Sequence, residues 1–200
     1  MKYIGISGYM HSGKDTFAGM LVERMRRFPA PGCSRLGAAL FKGSRIDARI
    51  RAFAYPLKKL AVDIFGFTWE QMTDQRLKHE VDSFWGVTPR EFLQMVGTEM
   101  FRDVFRRDVW IKVMEKYASS IPKAVIVIPD VRFPEEVDFI CRDGVLIRVN
   151  RHGPAVGKDG AHESERHIPS FNPDFDIDNT KSIAELGRKA DMVVEALFGR

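Results

Sequence analysis

The sequence predicts an α/β protein of three layers, with helices on both faces of a mostly parallel sheet that we expect to have five strands. Apolar runs of strand length alternate along the chain with segments of helical period. Residues 124–128 and 145–149 are continuously apolar and flank a helical segment over about residues 134–142. That pattern is typical of parallel strands covered on both faces.

The N-terminal part predicts a strand, a turn, a helix and a second strand. Residues 2–6 are predicted as a buried strand that contains the apolar run Tyr3 to Ile6, and apolar residues recur every fourth position from Phe17 onward. Residues 29–43 lose this period and accumulate Pro, Gly and Ser, which predicts a long connecting loop. Residues 46–53 alternate apolar with charged side chains, so they are predicted as the second strand.

Helical patterns fill about residues 55–120, and we interpret them as an insertion between strands. Apolar positions over residues 57–65 follow helical spacing, and Gly66 is placed to end that helix. Two further helices are predicted to start near Thr88 and near Asp108.

The C-terminal part predicts a lid and a closing helix. Residues 150–173 are polar and without period, which we interpret as a mobile lid, and apolar positions from Ile183 to Leu197 follow helical spacing. Since neither a repeat nor a linker is visible, we expect one domain over residues 1–200.

Composition narrows the class of protein. The 200 residues are 44% hydrophobic and 29% charged, as in ordinary globular proteins. No apolar stretch has the length of a signal-peptide core or a membrane span, so we expect a cytoplasmic protein without a membrane partner. The two cysteines lack a paired spacing, which disfavours a disulfide framework or a zinc site. The net charge of +4 lacks a basic tail, so a small anionic ligand is favoured over nucleic acid.

A phosphate-binding loop is predicted between the first strand and the first helix. Gly8, Gly13 and Lys14 satisfy the Walker A pattern G-x-x-x-x-G-K within GYMHSGKDT. A glycine-rich turn lets backbone N–H groups converge on phosphate oxygens, the helix N-terminus adds partial positive charge, and the lysine reaches the β- and γ-phosphates. The sequence therefore predicts a nucleoside triphosphate site.

Asp15 is the departure from the common form of this loop. The usual residue there is Ser or Thr, whose hydroxyl holds Mg²⁺. A carboxylate can also hold Mg²⁺, directly or through its water shell, and Thr16 then offers the nearest hydroxyl. The alternative is that Asp15 merely favours the positive end of the helix.

A second carboxylate follows an apolar strand in AVIVIPDVRF. Ligands of open α/β sheets bind outside the carboxyl ends of the strands, so Asp130 is expected to meet the loop and to order Mg²⁺ or its waters. Arg132 then directs a fork of donors toward an anion. The alternative is that Asp130 caps the helix that follows Pro134 while Arg132 lies in solvent.

The acceptor is expected to be a phosphate. A phosphate monoester is mostly dianionic at neutral pH, so its transfer chemistry needs neutralisation rather than a general base. Arginines supply this, because their planar forks align two anions. The candidates near predicted element ends or in the insertion are Arg90, Arg102, Arg132, Arg148 and Arg151.

These motifs resemble the phage-type deoxynucleoside monophosphate kinases. The matching stretches are SGYMHSGKDT, AYPLKKLA, REFLQMVGTEMFRDVFRRDVWIK, IPDVRFPEEVDFI, HESE and DIDNT, in that order along nearly the whole chain. The resemblance implies a P-loop kinase fold, ATP as phosphoryl donor, Mg²⁺, a deoxynucleoside monophosphate as acceptor, and the host cytoplasm if the chain is phage-encoded.

The resemblance also implies site residues at the matching positions. Lys14, Asp15 and Arg132 are the implied catalytic residues, with Asp15 and Asp130 at the metal. The implied ATP-binding residues are Gly8, Ser12, Gly13, Lys14, Asp15, Thr16 and Arg148. The implied acceptor-binding residues are Arg90, Gln94, Gly97, Thr98, Arg102, Asp130 and Arg132.

Four questions stay open at this level. This chain is shorter through the acceptor region than the phage enzymes, which leaves its base selectivity open. Animal-type phosphomevalonate kinase shares the GKD loop and an ESE-like segment, so a phosphorylated acceptor other than a nucleotide is a second hypothesis. A nucleic-acid-binding regulatory NTPase is a third, and salt-sensitive DNA binding would favour it. The oligomeric state, a homodimer included, is also open.

Overall fold

The computed structural model describes residues 1–29, 45–151 and 167–199. The loop predicted over residues 29–43 lies almost wholly outside the described residues, as does most of the lid predicted over residues 150–173. The chain divides into two compact units. The first combines Met1–Ala52 with Ala118–Arg200, and the second is Phe53–Tyr117.

The first unit is built on a parallel sheet of five strands in the order β2-β3-β1-β4-β5. The strand bounds are β1 (Tyr3–Ser7), β2 (Ala48–Ile50), β3 (Val125–Val131), β4 (Gly144–Asn150) and β5 (Phe175–Asp178). Every pairing is parallel. The prediction of a parallel five-stranded sheet is therefore confirmed, and the carboxyl end of the central strand β1 lies between those of β3 and β4.

Helices connect the strands and form the second unit. Their bounds are α1 (Lys14–Met25), α2 (Tyr55–Phe65), α3 (Trp69–Thr73), α4 (Pro89–Gln94), α5 (Val109–Ser120), α6 (Pro134–Cys141) and α7 (Ile183–Phe198). A π-helix over Met95–Phe105 continues directly from α4. No helix within the described ranges combines the length and the apolar character that crossing a bilayer requires.

Two helical layers cover the sheet of the first unit. Phe17 of α1 and Leu186 of α7 belong to one buried cluster with the apolar residues on one sheet face. On the opposite face Phe139 of α6 stacks on Tyr3 with ring centroids 4.6 Å apart, and Ile140 lies against Gly5. The sheet is thus sandwiched as predicted, because its strands are apolar on both faces.

The second unit has a small core of its own. Leu57, Phe92 and Val96 are buried together. Gly97 lets the π-helix approach α2, because a Cβ there would lie 2.4 Å from Leu57 Cδ2. Trp110 then donates its indole N–H to the carbonyl of Gly97 at 3.1 Å. The π-helix was not foreseen, since its apolar pattern also fits an ordinary helix.

The edges of the sheet differ most from the sequence prediction. The second strand, predicted over residues 46–53, spans only Ala48–Ile50, where it pairs with β3. The opposite edge strand β5 had not been located, because it has four residues and both of its aspartates are exposed. Short polar edge strands lack the apolar run by which buried strands are identified.

Candidate active site

The phosphate-binding loop joins β1 to α1 and bends at residues that need unusual backbone angles. The φ angles of His11, Gly13 and Gly8 are 63°, 90° and 153°. A Cβ on Gly8 would lie 2.5 Å from the carbonyl oxygen of Val149 and 2.7 Å from Ser12 Oγ. Glycine is therefore required at position 8, because the loop folds back onto β4.

The end of the loop is the N-terminus of α1. The first helical hydrogen bond runs from the N–H of Phe17 to the carbonyl of Gly13 at 2.9 Å. The preceding N–H groups point out of the helix end, where an anion is stabilised. Lys14 Nζ lies against the loop and donates to the carbonyl of Tyr9 at 3.3 Å, while Asp15 and Thr16 are exposed in the first turn.

Ser12 carries a buried hydroxyl inside this loop. The residue is 3% exposed, and its Oγ has no hydrogen-bond partner within the part of the chain that the structure describes. An unsatisfied buried polar group costs about 1–3 kcal/mol. A phosphate oxygen in the loop would accept this hydrogen bond, so Ser12 fits the predicted ligand.

Asp130 lies at the carboxyl end of β3, beside the strand that leads into the loop. Gly5 pairs with Ile128 and Ser7 with Val131, so β3 has one extra residue in this interval. A bulge of this kind redirects side chains near the end of a strand. Asp130 is half-buried there, and its neighbour Arg132 is exposed.

A carboxylate other than Asp130 accepts from the backbone before α6, while Arg132, which the same alternative placed in solvent, is exposed. The carboxylate that accepts from the backbone before α6 belongs to Glu136, whose Oε2 receives the N–H groups of Arg132 and Phe133 at 2.8 and 3.1 Å. Glu136 is buried, with 4% exposure. Only this half of a capping box is present, because the N-cap residue Phe133 has no side-chain acceptor, and the glutamate three residues after the N-cap is its sequence signal.

Arg148 lies on the other side of β1, in register with Ser7. Its guanidinium forms an ion pair with Asp176 of β5, and its Nη1 donates to the carbonyl of Phe171 at 3.4 Å. Asn150 donates to the second oxygen of the same carboxylate at 2.6 Å. Asp176 of β5 therefore orients the Arg148 side chain. Because Arg148 lies opposite Ser7, it is near the end of β1 from which the phosphate-binding loop starts.

Five of the seven predicted acceptor residues lie on one continuous helical stretch of the second unit. Arg90 and Gln94 belong to α4, and Gly97, Thr98 and Arg102 belong to the π-helix. Arg102 is 7% exposed, while Arg90 and Thr98 are half-buried and Gln94 is exposed. π-helical segments are frequent at functional sites.

The carboxylates of the first unit suit Mg²⁺ better than zinc. Within the described residues no group of three or more His, Cys, Asp and Glu side chains could hold a metal ion. Mg²⁺ keeps several waters and is usually bound through one or two carboxylates together with substrate phosphates. Asp15 and Asp130 are carboxylates on two elements that contact each other, α1 and β3.

One contact to the loop was not predicted. Asn179, which directly follows β5, donates its side-chain N–H to the carbonyl of Ser12 at 2.8 Å. The stretch DIDNT contains this residue, but its position at the end of a strand was hidden because β5 had not been located.

Three features define a P-loop nucleotide-binding protein. They are the parallel sheet, the glycine-bent loop at the end of its central strand, and the lysine at the start of the following helix. The profile of the family described as deoxynucleotide monophosphate kinase matches residues 34–190. The chain belongs to that family, as the resemblance had implied.

Individual relatives agree with this assignment. A protein of Acanthamoeba polyphaga mimivirus, provisionally named a deoxynucleotide monophosphate kinase, is 30% identical, and the match covers 92% of each chain. Deoxynucleoside-5'-monophosphate kinase of Escherichia phage T5 is 25% identical over 98% of each chain. Among solved structures, shikimate kinase from Aquifex aeolicus has a TM-score of 0.48 at 15% identity, covering 98% of this chain and 97% of that one.

Proposed function

We propose that the protein transfers the γ-phosphoryl group of ATP to a deoxynucleoside monophosphate in the presence of Mg²⁺, giving the deoxynucleoside diphosphate and ADP. The observation that carries this proposal is the loop over residues 8–14. It combines a lysine, a helix N-terminus and the orphaned Ser12 hydroxyl in one short segment. Family membership supports the choice of acceptor.

The loop would hold the donor phosphates. Gly8 and Gly13 let backbone N–H groups approach the phosphate oxygens without a side chain between them. Ser12 would donate its hydroxyl, and Lys14 would leave the Tyr9 carbonyl for the β- and γ-phosphates. Thr16 is exposed on the first turn of α1, within the same helix N-terminus.

The reaction requires no side chain to remove a proton from the acceptor. An oxygen of the acceptor monophosphate, already mostly dianionic, attacks the γ-phosphorus while the bond to the β–γ bridging oxygen breaks and its electron pair leaves with ADP. Mg²⁺, held by Asp15 and Asp130, would neutralise charge on the transferring phosphates. The arginines of the chain would align the two anions and suppress their repulsion.

The acceptor-binding residues that the resemblance implied stay part of this proposal, and Arg148 is assigned to the donor side. They are Arg90, Gln94, Gly97, Thr98, Arg102, Asp130 and Arg132.

The deciding experiment is a panel of acceptors. Purified protein is incubated with ATP and Mg²⁺ and each of the four natural deoxynucleoside monophosphates, matched ribonucleotides and a non-nucleotide phosphate monoester, and diphosphate formation is measured. Transfer to at least one deoxynucleotide is expected. If protein that binds ATP forms diphosphate from none of the four, the proposal is wrong.

Two variants show whether the loop carries the activity. Lys14→Ala should lower kcat by about 10²-fold or more, as for other preorganised electrostatic groups. Lys123→Ala removes the same charge from an exposed position before β3 and serves as the matched control. If Lys14→Ala and Lys123→Ala have comparable turnover, Lys14 does not belong to the active site.

A further inference from the structure

Asn179 contacts the phosphate-binding loop from the strand at the edge of the sheet. Its side-chain Nδ2 donates to the carbonyl of Ser12 at 2.8 Å. A Cβ added to Gly13 would lie 2.4 Å from the same nitrogen, so the amide packs directly on the Gly13 backbone. Asn179 therefore contacts both residues that share the Ser12–Gly13 peptide bond.

The backbone of Asn179 is itself held by the sheet. Its N–H donates to the carbonyl of Asn150 at 2.5 Å, which extends the ladder between β4 and β5 by one residue. On its N-terminal side, the Asp178 carboxylate accepts from the Thr180 N–H and hydroxyl at 3.0 and 2.9 Å. The backbone that carries the Asn179 side chain is thus held by hydrogen bonds.

A peptide unit is planar and trans, so its C=O and N–H point in opposite directions. Holding the Ser12 carbonyl toward Asn179 therefore turns the Gly13 N–H away from Asn179. Gly13 has no Cβ and so adopts positive φ as readily as negative φ, which lets this peptide rotate more freely than it could before another residue; its φ here is 90°. A side-chain hydrogen bond that restricts this rotation therefore has a large effect at such a position.

We propose that Asn179 is a positioning residue that locks the Ser12–Gly13 peptide in the orientation in which the Gly13 N–H faces the donor phosphates. The inference rests on the proposed function, because it assumes that the loop binds the phosphates of ATP. Asn179 itself touches no reacting atom. It acts by removing the alternative peptide orientation, in which the Ser12 carbonyl would face the phosphates and repel them.

The test uses the full-length protein and three variants. Asn179→Ala removes the donor, and Asn179→Asp keeps the shape but replaces the donor by a second acceptor facing a carbonyl. Asn172→Asp makes the same chemical change at an exposed position before β5 and is the control. The dissociation constant of the non-hydrolysable analogue AMPPNP is measured by calorimetry, and the KM values for ATP and for the acceptor are measured by steady-state kinetics.

Loss of a single orienting hydrogen bond is expected to weaken AMPPNP binding about three- to tenfold in Asn179→Ala. Asn179→Asp should be weaker still, because the carboxylate repels both the carbonyl and the phosphates. The KM for ATP should rise with it, while the KM for the acceptor changes little. KM does not depend on the concentration of active protein, so partial unfolding of a variant leaves this comparison valid.

The amide resonance of Gly13 provides a direct readout of the peptide. In Asn179→Ala its ¹H and ¹⁵N shifts should move in the absence of nucleotide, and the shift should be absent in Asn172→Asp. Wild-type affinity for AMPPNP in both Asn179 variants would overturn the inference and leave the proposed function intact. Failure of the wild-type protein to bind AMPPNP would instead refute the proposed function, and the inference with it.

Discussion

Ser7, the last residue of β1, lies opposite Val131 of β3 in the parallel ladder. Since Gly5 lies opposite Ile128, the bulge that separates these two pairs contains Asp130. Asp130 therefore lies beside the strand end from which the phosphate-binding loop starts. This register supports the proposal that Asp130 helps to hold Mg²⁺.

Asp130→Asn should raise the Mg²⁺ concentration required for half-maximal turnover, because an amide is a much weaker ligand for Mg²⁺ than a carboxylate. The measurement is turnover as a function of Mg²⁺ at saturating ATP and acceptor, with thermal unfolding followed in parallel. Asp138→Asn changes an exposed carboxylate on α6 and is the control. An unaltered Mg²⁺ requirement in Asp130→Asn would remove this residue from the metal site.

Substitutions at Asp15 should separate three roles. If the carboxylate organises Mg²⁺, Asp15→Ser retains part of the activity because a hydroxyl is the usual ligand at this position, while Asp15→Ala loses far more. If Asp15 is a general base, Asp15→Ser and Asp15→Ala should lose activity to the same extent. A contribution to helix stability alone predicts a lower melting temperature with kcat preserved. Turnover against Mg²⁺ and thermal unfolding together distinguish these outcomes.

Gly8→Ala should abolish the phosphate-binding geometry, because its Cβ would lie 2.5 Å from the Val149 carbonyl oxygen. The matched control is Gly19→Ala on α1, where an added Cβ meets no atom within 4 Å. That substitution should stabilise the protein by about 0.5–1 kcal/mol, since alanine is favoured over glycine in a helix. Calorimetric AMPPNP binding and thermal unfolding test both variants. Equal nucleotide affinity in the two would contradict the packing argument.

Arg102→Lys and Arg132→Lys should impair use of the acceptor more than binding of ATP. Lysine keeps the charge but loses the planar fork that holds two phosphate oxygens, so the acceptor KM should rise or kcat should fall. Arg188→Lys alters an exposed ion pair with Glu185 on α7 and is the control. The KM and kcat are measured with ATP and the acceptor varied in turn. If the KM for ATP rises as much as the KM for the acceptor, these arginines act on the donor side.

The second unit should lose stability in acid through Asp82. The N–H of Trp85, the Gln71 amide and the N–H of Phe84 all donate to this carboxylate and hold its pKa below the usual value. A depressed folded-state pKa gives stability that is present above the unfolded pKa, about 3.9, and is lost as pH falls through the folded value.

The comparison that checks this pH dependence is wild type against Asp82→Asn. The difference between their melting temperatures should be largest near pH 6 and should shrink as the pH falls below about 3.9 toward pH 3, because the unfolded carboxylate then takes up a proton. A difference that stays constant over this range would show that Asp82 does not titrate in the unfolding transition.

Local features of this protein could be predicted from the sequence because they depend on neighbours along the chain. The glycines and lysine of the loop, the apolar period of α2 and α7, and the glycine that ends α2 at a φ of 73° each act within a few residues. The same is true of the capping box between Thr88 and Glu91. These local signals can therefore be identified in the sequence without knowledge of the fold.

The sequence by itself thus determined the nucleotide-binding loop, the order of most helices and strands, and the family. Only the tertiary structure decided that Asp130 adjoins Ser7, that Glu136 caps α6 in place of Asp130, and that Asn179 reaches Ser12 across 167 positions of sequence. The physical reason is that the register of parallel strands is set by packing between distant segments, and a bulge or a short polar edge strand leaves little trace in local periodicity.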